Sequence, residues 1–159
     1  MLFRSALIGV AAGALLMHEC RRVYASSQAA LLAGLLFFCS LPVLYQARQC
    51  RYYAIAIFAD LWMLHGYVSL LQGRRGAGRL HLSLALLCQF FSLTAMTITN
   101  TPGLLLAAFL ERRRCKGLLW DASASLLPTA VFGGLWLAWS KPFAQGDNFT
   151  TEQIGRAHV

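Results

Sequence analysis

Residues 51–75, RYYAIAIFADLWMLHGYVSLLQGRR, decide the fold class. Between the flanking arginines, Tyr52 to Gln72 is mostly apolar, and at ~1.5 Å per residue a helix of that length reaches across a ~30 Å hydrocarbon core. Asp60 and His65 stand inside it. An ionised carboxylate at such depth is costly, so Asp60 requires a partner, a wet cavity or a proton. Helical spacing sorts the polar residues into two stripes: Tyr53, Asp60 and Tyr67 recur every seven residues, and His65, Ser69 and Gln72 lie on another face, about 140° away at ~100° per residue. A helix that is polar on two sides belongs inside a bundle or between subunits.

Composition points the same way. The 159 residues are 58% hydrophobic and 13% charged, against roughly 25% charged in a soluble domain. Twelve of the fourteen cations behind the net charge of +8 are arginines, and they cluster at the ends of apolar runs. That placement suits phospholipid headgroups and acidic partner surfaces, not nucleic acid, for which a basic stretch interleaved with exposed aromatics would be needed. Cys20, Cys39, Cys50, Cys88 and Cys115 show neither a Cys-x-x-Cys pair nor metal-ligand spacing, and their odd number leaves a thiol free.

On the N-terminal side, Ala29 to Tyr45 makes a second span bent near Pro42, joined to the central helix by a short turn over Gln46 to Arg51. Met1 to His18 is apolar apart from Arg4 and Ser5. It fits a cleavable signal, an organelle targeting segment or a retained first helix, and its Gly9 and Gly13 would let another helix approach closely.

On the C-terminal side, Gly73 to Arg79 reads as a flexible basic loop and Leu80 to Thr99 as the fourth span. Its stripe of His81, Ala85, Cys88, Ser92, Ala95 and Thr99, with Gln89 at the edge, offers a docking face. Asn100-Thr101-Pro102-Gly103 signals a turn or kink, after which Leu104 to Leu110 continues a bent fourth helix, lies at the interface or forms half of a re-entrant hairpin, the first two being favoured. Gly117 to Ser140 is the last span, with Asp121 near one end and Trp136 and Trp139 at the other. The polar tail from Lys141 is too short to fold alone. Its Asn148-Phe149-Thr150 triplet is a glycosylation acceptor only in a secretory lumen.

The expected architecture is therefore all-α: a polytopic transmembrane helical bundle of about five spans over residues 1–140, the fourth bent at Pro102, and a polar C-terminal tail over 141–159. In that arrangement the lysines and arginines divide seven to seven between the two sides. The missing bias fits organelle import or an assembly subunit whose partners fix its topology.

The candidate intramembrane polar site is Tyr53, Asp60, His65, Tyr67, His81 and Gln89. No other span centre carries a second carboxylate to complete a proton relay, so Asp60 is expected to fix packing. The alternative is a small transporter or ion-conducting protein that uses Asp60 as its proton or cation site. A third reading makes His65 and His81 axial ligands of a haem in a membrane anchor, but the basic loop puts His81 at the membrane surface and His65 roughly 10 Å deeper. Arg74, Arg75 and Arg79, and separately Arg112, Arg113, Arg114 and Lys116, are placed to bind anionic headgroups such as cardiolipin. No nucleophile elbow and no phosphate-binding glycine loop is present, so no enzyme and no cofactor are expected. The expected function is a non-catalytic accessory or scaffold subunit of a respiratory-chain or ATP-synthase-type complex, with other membrane subunits and anionic phospholipid as partners. An Arg-bearing, acid-poor N-terminal segment points to the mitochondrial inner membrane.

Overall fold

The structure is a computed structural model that describes residues 2–40, 51–113 and 115–146. Every regular element among them is a helix: α1 (Leu2–Tyr24), α2 (Ser27–Cys39), α3 (Arg51–Leu71), α4 (Arg75–Ser92), α5 (Thr94–Glu111) and α6 (Leu118–Gly146). They fall into two compact units, Met1–Thr129 and Ala130–Val159, the second containing the later turns of α6. The 41–50 segment, with Pro42 and most of the Gln46–Arg51 turn, lies outside the described residues, as do Arg114, the Asn148 sequon and the tail beyond Gly146.

Helix α1 ends with Arg21 and Arg22 in its last turn, where cations complement the partial negative charge of a helix C-terminus. Ala25 then takes a left-handed φ of 51°, and the Ser26 hydroxyl caps α2 by accepting from the Ala29 N–H at 3.3 Å. Helices α1 and α2 pack with Gly13 against the Phe38 ring and Gly34 against the Met17 side chain, whereas Gly9 has nothing within 4 Å. The Gly9–Gly13 pair therefore does not act as a joint docking notch among the described residues.

Helices α3 and α4 form a tight hairpin. Gly73 sits at φ +80°, a conformation open to glycine, and the Gly73 and Arg74 N–H groups close the end of α3 on the Leu70 and Ser69 carbonyls, each at 3.0 Å. Helix α4 starts at Arg75, so the basic loop expected over Gly73 to Arg79 is only a turn. Gly76 and Gly78 are helical, and Gly78 is packed where α3 comes closest. A Cβ on Gly78 would meet Leu70 at 2.7–2.9 Å, and one on Gly66 would lie 2.7 Å from the Leu82 backbone nitrogen. The two helices are thus in near backbone contact at two levels.

The chain is interrupted at Leu93 (φ −155°, ψ 89°), not at Pro102, which lies inside α5. At the junction the Leu93 N–H still closes α4 on the Gln89 carbonyl at 2.8 Å, and the Ser92 and Thr94 hydroxyls donate to the Gln89 and Phe90 carbonyls, each at 3.1 Å. Pro102 removes one N–H from the α5 ladder and its ring crowds the carbonyl one turn back, yet the helix continues through it, with the Thr101 hydroxyl donating to the Thr97 carbonyl beside it at 2.7 Å. Leu104 to Leu110 is the second half of α5.

The first turns of α6, up to Thr129, lie alongside α4 and run parallel to it with one register at both contacts. Arg79 bonds Asp121 and Ser83 donates to the Ser125 carbonyl, both at an offset of 42 residues. Helix α4 is consequently packed on more than one side and buries Leu82, Leu86 and Phe90 as well as Gly78, Ala85 and Gln89, a wider face than the small-residue stripe. Leu70, Leu82, Leu86, Leu104, Ala108, Leu118 and Ala122 form the core of the first unit. Each fully buried leucine there contributes about 1.5–3 kcal/mol relative to exposure.

Two helices are long and apolar enough to cross a membrane: Tyr53–Leu71 and Leu118–Trp136, each over 19 residues. The other described helices do not meet that length and hydropathy. Helix α2 has only 13 residues, α1 and α4 include arginines and histidines, and the first half of α5 is rich in threonine and asparagine. Five spans are therefore not established by the helices themselves.

Candidate functional site

The two polar stripes of α3 meet different neighbours. Asp60 faces α4 and α5, where its Oδ1 accepts from the side-chain amide of Gln89 and from Asn100 Nδ2, the latter at 2.8 Å. Gln89 is 1% exposed, so its amide has no water to fall back on. The carboxylate is thereby tied to two side-chain amides from two other helices. Its companions on the stripe take no part: Tyr53 is 37% exposed, and the Tyr67 hydroxyl is buried without a hydrogen-bond partner.

The second stripe faces α1. His65 Nδ1 lies 2.6 Å from Glu19 Oε1, in the geometry of a ring N–H donating to a carboxylate, and Arg22 Nη1 donates to the Ser69 hydroxyl at 3.1 Å. Arg22 Nη1 is also 3.7 Å from Glu19, and His18 Nε2 is 3.8 Å from it. Glu19 is only 3% exposed, and its second oxygen has no partner. His81 joins from α4: its ring meets that of His65 edge to face with centroids 4.9 Å apart, and its Nδ1 accepts from Trp62 Nε1 at 3.1 Å. Three of the chain's four histidines therefore gather beside one buried glutamate.

This corrects the depth assigned to the two histidines. Because α3 ends at Leu71 and α4 begins at Arg75, His65 and His81 stand equally far from the turn, and the antiparallel hairpin brings them level. A haem held by both would have to lie between the rings. Edge-to-face contact between the two rings leaves no room for it in this arrangement. Among the described residues no group of three histidine, cysteine, aspartate or glutamate side chains is arranged to hold a metal ion.

The basic residues at the helix ends are brought together across the fold. Asp121, 3% exposed, accepts from Arg79 Nε at 2.8 Å and from Arg79 Nη2, and Arg75 Nε lies 3.5 Å from its other oxygen. Arg75 Nη2 also donates to the Lys116 carbonyl at 2.6 Å. The turn after α3 is so joined to the start of α6. A cleft of about 370 Å³ opens there, lined by Arg75, Arg113, Lys116 and Asp121 over a floor of Leu70, Leu71 and Leu118. Arg74 and Arg112 are exposed, with the Arg112 guanidinium 3.8 Å above the Phe109 ring, and Arg114 lies outside the described residues.

Glu19, Arg22, Trp62 and Asn100 were not singled out by sequence reasoning. Glu19 sits among flanking cations and reads as a helix-end residue. Asn100 reads as a turn former beside Pro102, and the break at Leu93 hides its relation to Gln89 from helical spacing. These features define a helical protein with two helices able to cross a membrane and polar clusters between its helices. The chain matches no protein-family model, no characterised protein and no solved structure.

Proposed function

We propose that the chain is a non-catalytic accessory subunit of a multi-subunit membrane complex, of respiratory-chain or ATP-synthase type, in the mitochondrial inner membrane. It would be built as a helical bundle of about five spans. The observation that carries this reading is the use made of Asp60. Its carboxylate joins α3 to Gln89 of α4 and Asn100 of α5, which suits a residue that fixes helix packing better than one that must exchange its proton or cation. Broad apolar exposure supports a membrane setting: Leu31, Leu32, Leu35 and Leu36 of α2 are 57–63% exposed, and Trp120 and Trp139 of α6 are each 73% exposed.

The test is gentle extraction of the tagged chain from its native membrane, followed by native mass spectrometry. A complex with other membrane subunits is expected, and recovery as a lone monomer would overturn the proposal. Asp60→Asn keeps an acceptor for both amides and should leave that complex intact. Asp60→Leu strands the buried Gln89 donor, costs about 1–3 kcal/mol and should deplete the complex. If Asp60→Asn abolished an ion flux while assembly survived, a small transporter using Asp60 would replace the scaffold reading.

A further inference from the structure

We propose that the cleft between the α3–α4 turn and the start of α6 is a binding site for a phosphate group, carried by an anionic phospholipid or by a soluble phosphate ester. The choice between carriers rests on the membrane reading above, and the site itself does not. Arg75, Arg113 and Lys116 line the cleft and Arg79 stands beside it on Asp121, the four coming from two stretches of chain, the start of α4 and the α5–α6 connection; Asp121 is the one carboxylate among the lining residues, with Glu111 nearby at the end of α5. Asp121 does not cancel the site, because Arg79 covers one of its oxygens and Arg75 approaches the other.

That pairing also sets the geometry. Held by Asp121 and by the Lys116 carbonyl, Arg75 is fixed before any ligand arrives, so little side-chain entropy is lost on binding. Gly117 takes a left-handed backbone at φ +87°, which favours glycine, and sits against the Arg75 guanidinium, where an added Cβ would be in ordinary contact at 3.4 Å. Arg113 and Lys116 are exposed and form no ion pair among the described residues, so their charges are available to an anion. Helices α4 and α6 both begin at this cleft, and their N-terminal partial positive charges add to the side-chain field. The floor of Leu70, Leu71 and Leu118 fits the first part of an acyl chain and gives a small phosphate ester nothing to hold.

The full chain in neutral detergent is titrated with phosphatidylglycerol and, separately, with inositol hexakisphosphate, binding being read by native mass spectrometry. The double variant Arg113→Gln/Lys116→Gln is compared with Arg21→Gln, which alters an exposed arginine that does not line the cleft. Each lost charge should weaken binding about fivefold, the equivalent of about 1 kcal/mol, and Arg21→Gln should leave it unchanged. Weakening confined to the lipid supports the site with a phospholipid occupant. Weakening confined to the soluble polyphosphate supports the site with a soluble occupant and removes its link to the membrane. If the double variant binds both as the parent does, the proposal falls. Because the isolated chain is used, failure to find a larger complex does not affect this result.

Discussion

Replacing Glu19 by leucine is expected to lower the free energy of unfolding by about 3 kcal/mol, the lower end for breaking a buried ion pair from one side. Glu19 is 3% exposed, while Arg22 and His65 retain only 16% and 18% of their side-chain exposure, so losing the carboxylate leaves a cation and a ring N–H with little water in their place. The lower end applies because Arg22 stands 3.7 Å from Glu19 and keeps its bond to the Ser69 hydroxyl. Glu19→Gln retains an oxygen for His65 Nδ1 and loses only the charge, so about half that cost is expected. Replacing Arg22 by methionine and His65 by leucine together with Glu19→Leu should recover much of the loss, because no stranded polar group remains. The midpoint of chemical unfolding in detergent measures all three. A leucine variant as stable as the parent would mean that Glu19 does not hold α1 to α3.

The expected order, leucine worse than glutamine and the triple replacement better than leucine alone, depends on contacts that the sequence conceals. The central helix and its two polar stripes were legible, because spacing within one continuous helix fixes which side chains share a face. The partners were not, since Glu19 and His65 are 46 residues apart and only the packing of α1 on α3 brings them together. Helix ends were read less well. Three arginines and three glycines over residues 73–79 resemble a loop, yet Gly78 serves close packing against Leu70 and only Gly73 takes a left-handed backbone. That single misplacement separated His65 from His81 in depth. Similarly, Pro102 is a strong breaker by composition, but the break occurs at Leu93, where Ser92 and Thr94 turn their hydroxyls onto backbone carbonyls. The two basic clusters were each visible. Their convergence was not, because it depends on α6 lying parallel to α4 in a register no local pattern encodes.

Gly66→Leu is expected to be at least as damaging as Glu19→Leu, because it acts on the backbone contact that sets the α3–α4 register. Alanine shows which effect prevails. Within a helix, Gly→Ala ordinarily stabilises by up to about 1 kcal/mol. At Gly66, however, the added Cβ would lie 2.7 Å from the Leu82 nitrogen and 3.0 Å from its Cα, and neither atom can rotate aside. Overpacking of that kind costs about 1–3 kcal/mol, so Gly66→Ala should be destabilising on balance and Gly66→Leu should reach about 3 kcal/mol or more. Gly9→Ala is the matched control: with nothing within 4 Å of its added Cβ, it should be neutral or stabilising. Thermal unfolding in detergent orders the three variants. Spreading the hairpin would also part the His65 and His81 rings, now 4.9 Å apart, and draw Gln89 away from Asp60, so the Gly66 variants should lose polar contacts as well as packing. If Gly66→Ala gained stability as Gly9→Ala does, the helices would have to be further apart than a 2.7 Å approach of that Cβ to the Leu82 nitrogen requires, and the polar clusters between them would lose their geometric basis.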